Sequence, residues 1–221
     1  MRVLIGVPCP YEIRSKWWSN IERWRDESTC QTRIFPEPTP NRMDWSISLI
    51  LREAQKEGAT WLVRLDADVK PEMPLDECLG LAEENWVKLN AVTGVPTIVN
   101  AGYDVGKVQC RPIVRIDPNR PFECHWVSGS LNFIPNQVFR RFKPLGYFQS
   151  QTGEKMPYLI PPQNTGSTED SDFCSEVRKR GFKVFADPRI LAGHRRGEDL
   201  YIPSFRKGMT DGGQVEVMLT R

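Results

Sequence analysis

The sequence contains no apolar stretch near the ~20 residues that cross a bilayer, and its charge is nearly balanced. With 30 Lys and Arg against 28 Asp and Glu, the formal charge is +2. A protein that reads nucleic acid through its phosphates gathers a larger basic excess on one face. The six cysteines Cys9, Cys30, Cys78, Cys110, Cys124 and Cys174 are scattered, with no CxxC pair. The first apolar run, Val3 to Val7, meets Pro8 too early to be a signal peptide. Without an export signal the cysteines are expected as reduced thiols in the cytoplasm, with Cys78 and Cys174 as small buried hydrophobes. A Cys110–Cys124 bridge across a hairpin is the one pairing to weigh, and the compartment argues against it. No repeat or low-complexity tract is present.

What remains is ordinary globular material: 221 residues, 39% hydrophobic and 26% charged, with seven tryptophans. A domain of this size buries roughly 70% of its extended-chain surface and needs no disulfide or metal to fold.

Apolar periodicity alternates between two templates. Val3 to Val7 reads as a buried strand. Ile13, Trp17, Ile21 and Trp24 follow at helical spacing, to about Asp26. A strand over Gln31 to Phe35 is ended by Pro36-Glu37-Pro38-Thr39-Pro40. Ile47, Ile50, Leu51 and Ala54 share a helical face, with Asp44 as N-cap or first-turn acid and Gly58 as the C′ stop. Then come a strand at Trp61 to Leu65, a helix at Leu75 to Trp86 and a strand at Ala91 to Val95. This rhythm predicts βαβ units in an open, mostly parallel sheet, with right-handed crossovers placing helices on both faces.

Beyond Thr97 the rhythm changes. Strands are expected at Val108 to Ile116 and Glu123 to Ile134, then a short helix from Asn136 to Phe142. Gln149 to Ser167, polar and rich in Gly and Pro, reads as a mobile loop. A helix from Asp170 to Arg180 ends at Gly181, a strand covers Phe182 to Phe185, and the segment after His194 reads as a flexible tail.

Three features carry chemistry. Asp66 and Asp68 follow the apolar strand Trp61 to Leu65, and in open α/β sheets ligands bind beyond the carboxyl ends of strands. The two point to one side if the backbone stays extended, and a divalent cation relieves their repulsion while leaving positions for phosphate oxygens. An Asp after a strand also makes turns. Ser167-Thr168-Glu169-Asp170-Ser171-Asp172 serves as a helix cap, yet three acids in four residues exceed what capping requires. An acid there can also deprotonate an acceptor hydroxyl. His194 follows the last strand, and imidazole is a ligand for ions such as Mn²⁺.

In their order and context these features resemble the GT-A-fold glycosyltransferases, most nearly the small, inverting, family-2-like kind. The resemblance covers most of residues 2 to 194. It is carried by Gly6-Val7-Pro8, Asn41-Arg42, Leu65-Asp66-Ala67-Asp68 and Val127-Ser128-Gly129-Ser130-Leu131-Asn132-Phe133-Ile134. Thr168-Glu169-Asp170-Ser171-Asp172-Phe173-Cys174 follows, then Arg178, Gly181, Asp187-Pro188 and His194.

The resemblance implies a single GT-A catalytic domain over 1–194, with an open mixed, mostly parallel sheet. Residues 1–100 would form the nucleotide- and metal-binding half, 101–194 the acceptor half, and 195–221 a flexible tail or lid. It implies that Asp68 ligates Mn²⁺ or Mg²⁺, that Asp66 contacts the metal, its water or the ribose, and that His194 is the third ligand. Asp170 would be the general base and Glu169 would orient the acceptor. Pro8 would lie at the nucleobase, Arg42 near the base or diphosphate, and Gly129 and Ser130 at the donor-sugar floor. Arg195 and Arg196 would add positive charge at the diphosphate. The donor would be a UDP- or GDP-sugar, and the acceptor a glycan, lipid-linked, protein or small-molecule hydroxyl.

Departures from the pattern are specific. The double-Asp signature after the second strand is missing, with Glu37 alone there. No Gln-x-x-Arg-Trp follows the acidic motif and no membrane helix is present, which excludes a processive polysaccharide synthase. A sugar nucleotidyltransferase would show a Gly-rich basic loop where Pro8-Cys9-Pro10-Tyr11 stands. A haloacid-dehalogenase-type phosphatase would not place Lys70 after its Asp-x-Asp. A non-catalytic carbohydrate- or nucleotide-binding module would need only the carboxylates and aromatic faces.

Overall fold

The computed structural model describes residues 1–9, 18–38, 43–95, 98–99, 102–103, 117, 119–149, 153–161, 168–196, 199–206 and 216–220. In chain order β1 (Arg2–Cys9), α1 (Trp18–Asp26), β2 (Gln31–Pro38), α2 (Met43–Glu57), β3 (Trp61–Leu65), β4 (Val69–Pro71) and α3 (Leu75–Leu89) form the first part. They are followed by β5 (Ala91–Gly94), β6 (Ile98–Val99), β7 (Gly102–Tyr103), β8 (Phe122–Glu123), β9 (Leu131–Pro135), α4 (Asn136–Phe139), β10 (Gly146–Gln149) and β11 (Lys155–Tyr158). The remainder is α5 (Glu169–Lys179), β12 (Lys183–Ala186), β13 (Ala192–Arg196), β14 (Asp199–Arg206) and β15 (Glu216–Thr220).

A seven-stranded sheet runs in the order β2-β1-β3-β9-β5-β12-β8. The β1–β2, β1–β3 and β5–β12 pairs are parallel. β9 is antiparallel to β3 and β5, and β8 is antiparallel to β12. The sheet is therefore mixed, with all but β8 and β9 pointing the same way. Strand alternation divides the core. Val3, Ile5, Trp61 and Val63 pack with Ile21 and Trp24 of α1 and with Leu75, Leu79 and Ala82 of α3. Leu4, Leu62 and Val184 pack on the other face with Ile47, Ile50 and Leu51 of α2 and Phe173 and Val177 of α5. Helices thus cover both faces, as the βαβ rhythm requires. Gly58, at φ +62°, ends α2 in the left-handed region, as its C′ position predicts.

Four local expectations change. β2 continues through Pro36 to Pro38, because it lies at the sheet edge, where a missing N–H leaves no neighbour unpaired. The single strand expected over Glu123 to Ile134 is interrupted, with β8 and β9 separated by a turn at Gly129 and Ser130. In place of the loop expected from Gln149 onward, β10 and β11 pair antiparallel, Gly146 to Gln149 against Lys155 to Tyr158. Phe148 of β10 stacks on Trp45 at 4.3 Å, and the Trp45 indole N–H donates to the Tyr158 hydroxyl. That packing lies between distant segments and leaves no local pattern. Residues 195–221, expected as a flexible tail, contain β14 and β15, which extend a four-stranded sheet β15-β14-β13-β4. The strand expected at 108–116, together with Asn41, Arg42, Cys110 and residues 150–152 and 162–167, lies outside the described residues.

Candidate active site

β3 is apolar except for Arg64, whose residue is 2% exposed. The strand ends there and the chain turns, Val69 N–H donating to the Asp66 carbonyl and Asp66 N–H donating to the Ser130 carbonyl. The extended geometry that would put Asp66 and Asp68 on one side is therefore lost at Ala67. Asp66 folds inward, with a side chain 24% exposed, while Asp68 stays exposed on the turn. Alternation instead pairs Arg64 with Asp66 on a common face.

The acidic motif comes to the same place. Thr168 caps α5: its hydroxyl accepts from Ser171 N–H at 3.3 Å, and Thr168 N–H donates to Ser171 Oγ at 3.2 Å. Capping is thus carried by Thr168 and Ser171. Arg64 Nη1 donates to Asp170 Oδ1 at 2.5 Å, and Nη2 lies 3.7 Å from Asp66 and 3.9 Å from Glu169. One buried guanidinium faces three carboxylates.

The electrostatics follow from that crowding. Burial first, and then the neighbouring acids Asp170, Asp68 and Glu169 against the opposing pull of Arg64, push Asp66 up to about 7. Burial and then Asp170 raise Glu169 as well. Burial opposes the charge on Arg64, but Asp170, Asp66 and Glu169 outweigh it and raise its pKa.

Gly129 is the seat of this guanidinium: a Cβ there would lie 2.0 Å from Arg64 Cζ. Ser130 is buried, with its hydroxyl 2.7 Å from that of Ser128. The structure brings Gly129 and Ser130 beneath the Asp66 turn, as neighbours of Arg64 and Asp66. Pro8 is buried at the end of β1, in register with Glu37. Burial and then Glu53 push Glu37 up to about 7. β13 pairs antiparallel with β4 so that His194 lies opposite Val69, one residue after Asp68. Arg195 and Arg196 continue β13 in register with Leu200 and Asp199.

A divalent cation is the group this fold reading implies. Among the described residues no three His, Cys, Asp or Glu side chains form a ready-made cation cage. The donor set nonetheless fits an oxygen-preferring ion. Asp66 Oδ1 is buried without a hydrogen-bond partner, Asp68 is exposed beside it, and the β13 backbone brings His194 to the same turn.

Sequence reasoning missed Arg64, although a lone charge inside an apolar strand, two residues before Asp66, is a visible anomaly. It also assigned Asp44 only to the helix start. Asp44 is fully buried and adds to the negative potential at Glu169. The thiols of Cys78 and Cys174 are free and buried, and burial pushes both up to about 12. Cys124 is a free thiol.

No protein-family model matches the chain, and no curated protein matches it in sequence. Among solved structures, the crystal structure of A197 from STIV is similar over 91% of this chain and 89% of that one, at 16% identity and a TM-score of 0.60. That likeness is one of fold. The crystal structure of GalNAc-T7 with UDP, GalNAc and Mn²⁺ is matched over 89% of this chain at 14% identity and a TM-score of 0.48, this chain spanning 37% of that one. Among the described residues no helix is long and apolar enough to cross a membrane.

Proposed function

We propose that the chain is a metal-dependent glycosyltransferase that moves a sugar from a nucleoside-diphosphate sugar to an acceptor hydroxyl, with inversion. The observation that carries this reading is the meeting of Asp66 and the Glu169–Asp170 pair at one guanidinium beyond the end of β3. A turn or a cap alone gives no reason for these segments to share a buried cation.

In this reading Asp66, Asp68 and His194 hold Mn²⁺ or Mg²⁺. A bound divalent cation supplies Lewis-acid stabilisation of the negative charge that develops on the departing diphosphate. Asp170 takes the proton of the acceptor hydroxyl as that oxygen attacks the anomeric carbon opposite the leaving group. Glu169, half-buried and raised in pKa, orients the acceptor. Pro8 borders the nucleobase, Gly129 and Ser130 the donor sugar, and Arg42, Arg195 and Arg196 add positive charge near the diphosphate. Residues 1–100 then form the donor half, 101–194 the acceptor half and 195–221 a lid.

Calorimetry with Mn²⁺ and UDP, GDP, CDP and dTDP compounds, followed by donor-hydrolysis assays, tests the reading. Asp68→Ala is expected to abolish metal-dependent donor binding. Asp170→Asn is expected to keep binding and lose roughly 10²- to 10⁴-fold in transfer. Normal transfer by Asp170→Asn would remove the base assignment. Metal-dependent donor binding without turnover on any acceptor would instead identify a binding module.

A further inference from the structure

Among the described residues Arg64 is the largest fully buried polar side chain, and it touches both parts of the site. It arises from β3, and its partner Asp170 lies on α5, 106 residues later. Asp170 Oδ1 is committed to Arg64 Nη1 at 2.5 Å, while Glu169, the adjacent acid, stands 3.9 Å from Nη2. The guanidinium therefore distinguishes two neighbouring carboxylates, holding one and leaving the other outside hydrogen-bond distance. Its place is fixed from below by Gly129, where a Cβ would overlap Cζ. β3 also pairs with β9 so that Arg64 lies across from Asn132.

We propose that Arg64 is a positioning residue for the transfer reaction, setting Asp170 rather than Glu169 as the proton acceptor; this rests on the glycosyltransferase reading above. Asp170 is held through Oδ1, which reserves Oδ2 for the acceptor. In the step itself the acceptor O–H bond breaks and its proton passes to Asp170 Oδ2. The acceptor oxygen forms the new bond to the anomeric carbon, and the bond from that carbon to the phosphate oxygen breaks, its electron pair leaving with the nucleoside diphosphate. Arg64 exchanges no proton. It acts by fixing where the base stands, and small misplacements of a catalytic group cost up to ~10²-fold in rate.

The test is a double-mutant cycle between Arg64→Gln and Asp170→Asn, read as kcat and donor KM with Mn²⁺ and the nucleotide sugar that the wild type hydrolyses. Arg64→Gln is expected to lower kcat roughly 10- to 100-fold, with donor KM changed by less than about threefold, since donor binding is left intact. In the Asp170→Asn background the same change is expected to lower kcat no further, because residues acting through one another are non-additive. Arg64→Lys should recover part of the loss. If Arg64→Gln fails to fold, Arg64→Lys and Arg64→Met carry the cycle. Equal losses in both backgrounds, or an unchanged kcat, overturn the positioning role and leave the transferase reading standing. A wild type that turns over no nucleotide sugar overturns both.

Discussion

The Asn85 amide donates to Asp187 Oδ2 at 2.7 Å, tying α3 to the turn that leads into β13. Asp187 is fully buried, and Arg189 binds its carboxylate through both Nε and Nη2 while also reaching Glu84. Leu191, at the end of that turn, accepts from Glu72 N–H beside β4. The network sets the register that brings His194 to Val69.

Asp187→Ala leaves Arg189 and Asn85 without their shared carboxylate. It is expected to destabilise the fold by about 3 kcal/mol, the scale for breaking a buried pair. Removing the exposed Asp117–Arg120 pair should change stability by under ~1 kcal/mol. Urea denaturation of both variants checks the contrast, and equal small effects would deny Asp187 its anchoring role.

Two glycines should respond in opposite directions to alanine. Gly129→Ala forces Arg64 out of its seat and is expected to destabilise the protein. Gly80 lies inside α3 with nothing within 4 Å of its added Cβ. Gly80→Ala should therefore stabilise by about 0.5–1 kcal/mol through backbone entropy. Thermal melts of the pair decide the matter.

Asp66 makes stability depend on pH in a stated direction. Its carboxyl is raised to about 7 in the fold, against about 3.9 in an unfolded chain. The folded state therefore holds this proton more firmly, so the stability it contributes is present below pH ~4 and is lost as pH rises through ~7. Melting temperatures without metal should fall over that window from this group, and Asp66→Asn should flatten the dependence. Stabilisation by Mn²⁺ should grow over the same window, because cation and proton compete for Asp66.

Asp76 predicts the opposite slope at lower pH. Its carboxylate accepts from the Ser28 hydroxyl, from Thr29 N–H at 2.9 Å and from Thr29 Oγ1 at 2.5 Å, clamping the start of α3 to the loop before β2. The hydrogen bonds from Ser28 and Thr29 hold its pKa down to about 2. Its contribution is present above pH ~4 and lost as pH falls toward ~2. Asp76→Asn should cost about 1 kcal/mol at neutral pH, given its partial exposure, and should remove this part of the acid transition.

Much of the fold was legible because its elements bury continuous apolar faces. Val3 to Val7 and Trp61 to Leu65 were recognisable in isolation as short apolar runs, and the Ile47–Ala54 face by the 3.6-residue period that helix geometry imposes. The pairing of β10 with β11 was not, because its reason to fold is the stack of Phe148 on Trp45, a residue on a distant helix. β14 and β15 were missed for the same cause: β13 lies along β4 and starts a second sheet that these strands extend.

The sequence by itself determined the alternating α/β order, the carboxylates at Asp66, Asp68, Glu169 and Asp170, and the cap at Thr168, all properties of local pattern and side-chain chemistry. Only the tertiary structure decided how those carboxylates relate. It turned the chain after Asp66, so that Asp66 and Asp68 no longer share a face, and it set Asp170 against Arg64. That decision belongs to three dimensions because a buried cation needs counter-charges wherever the fold can bring them, and here they come from segments that no sequence window spans.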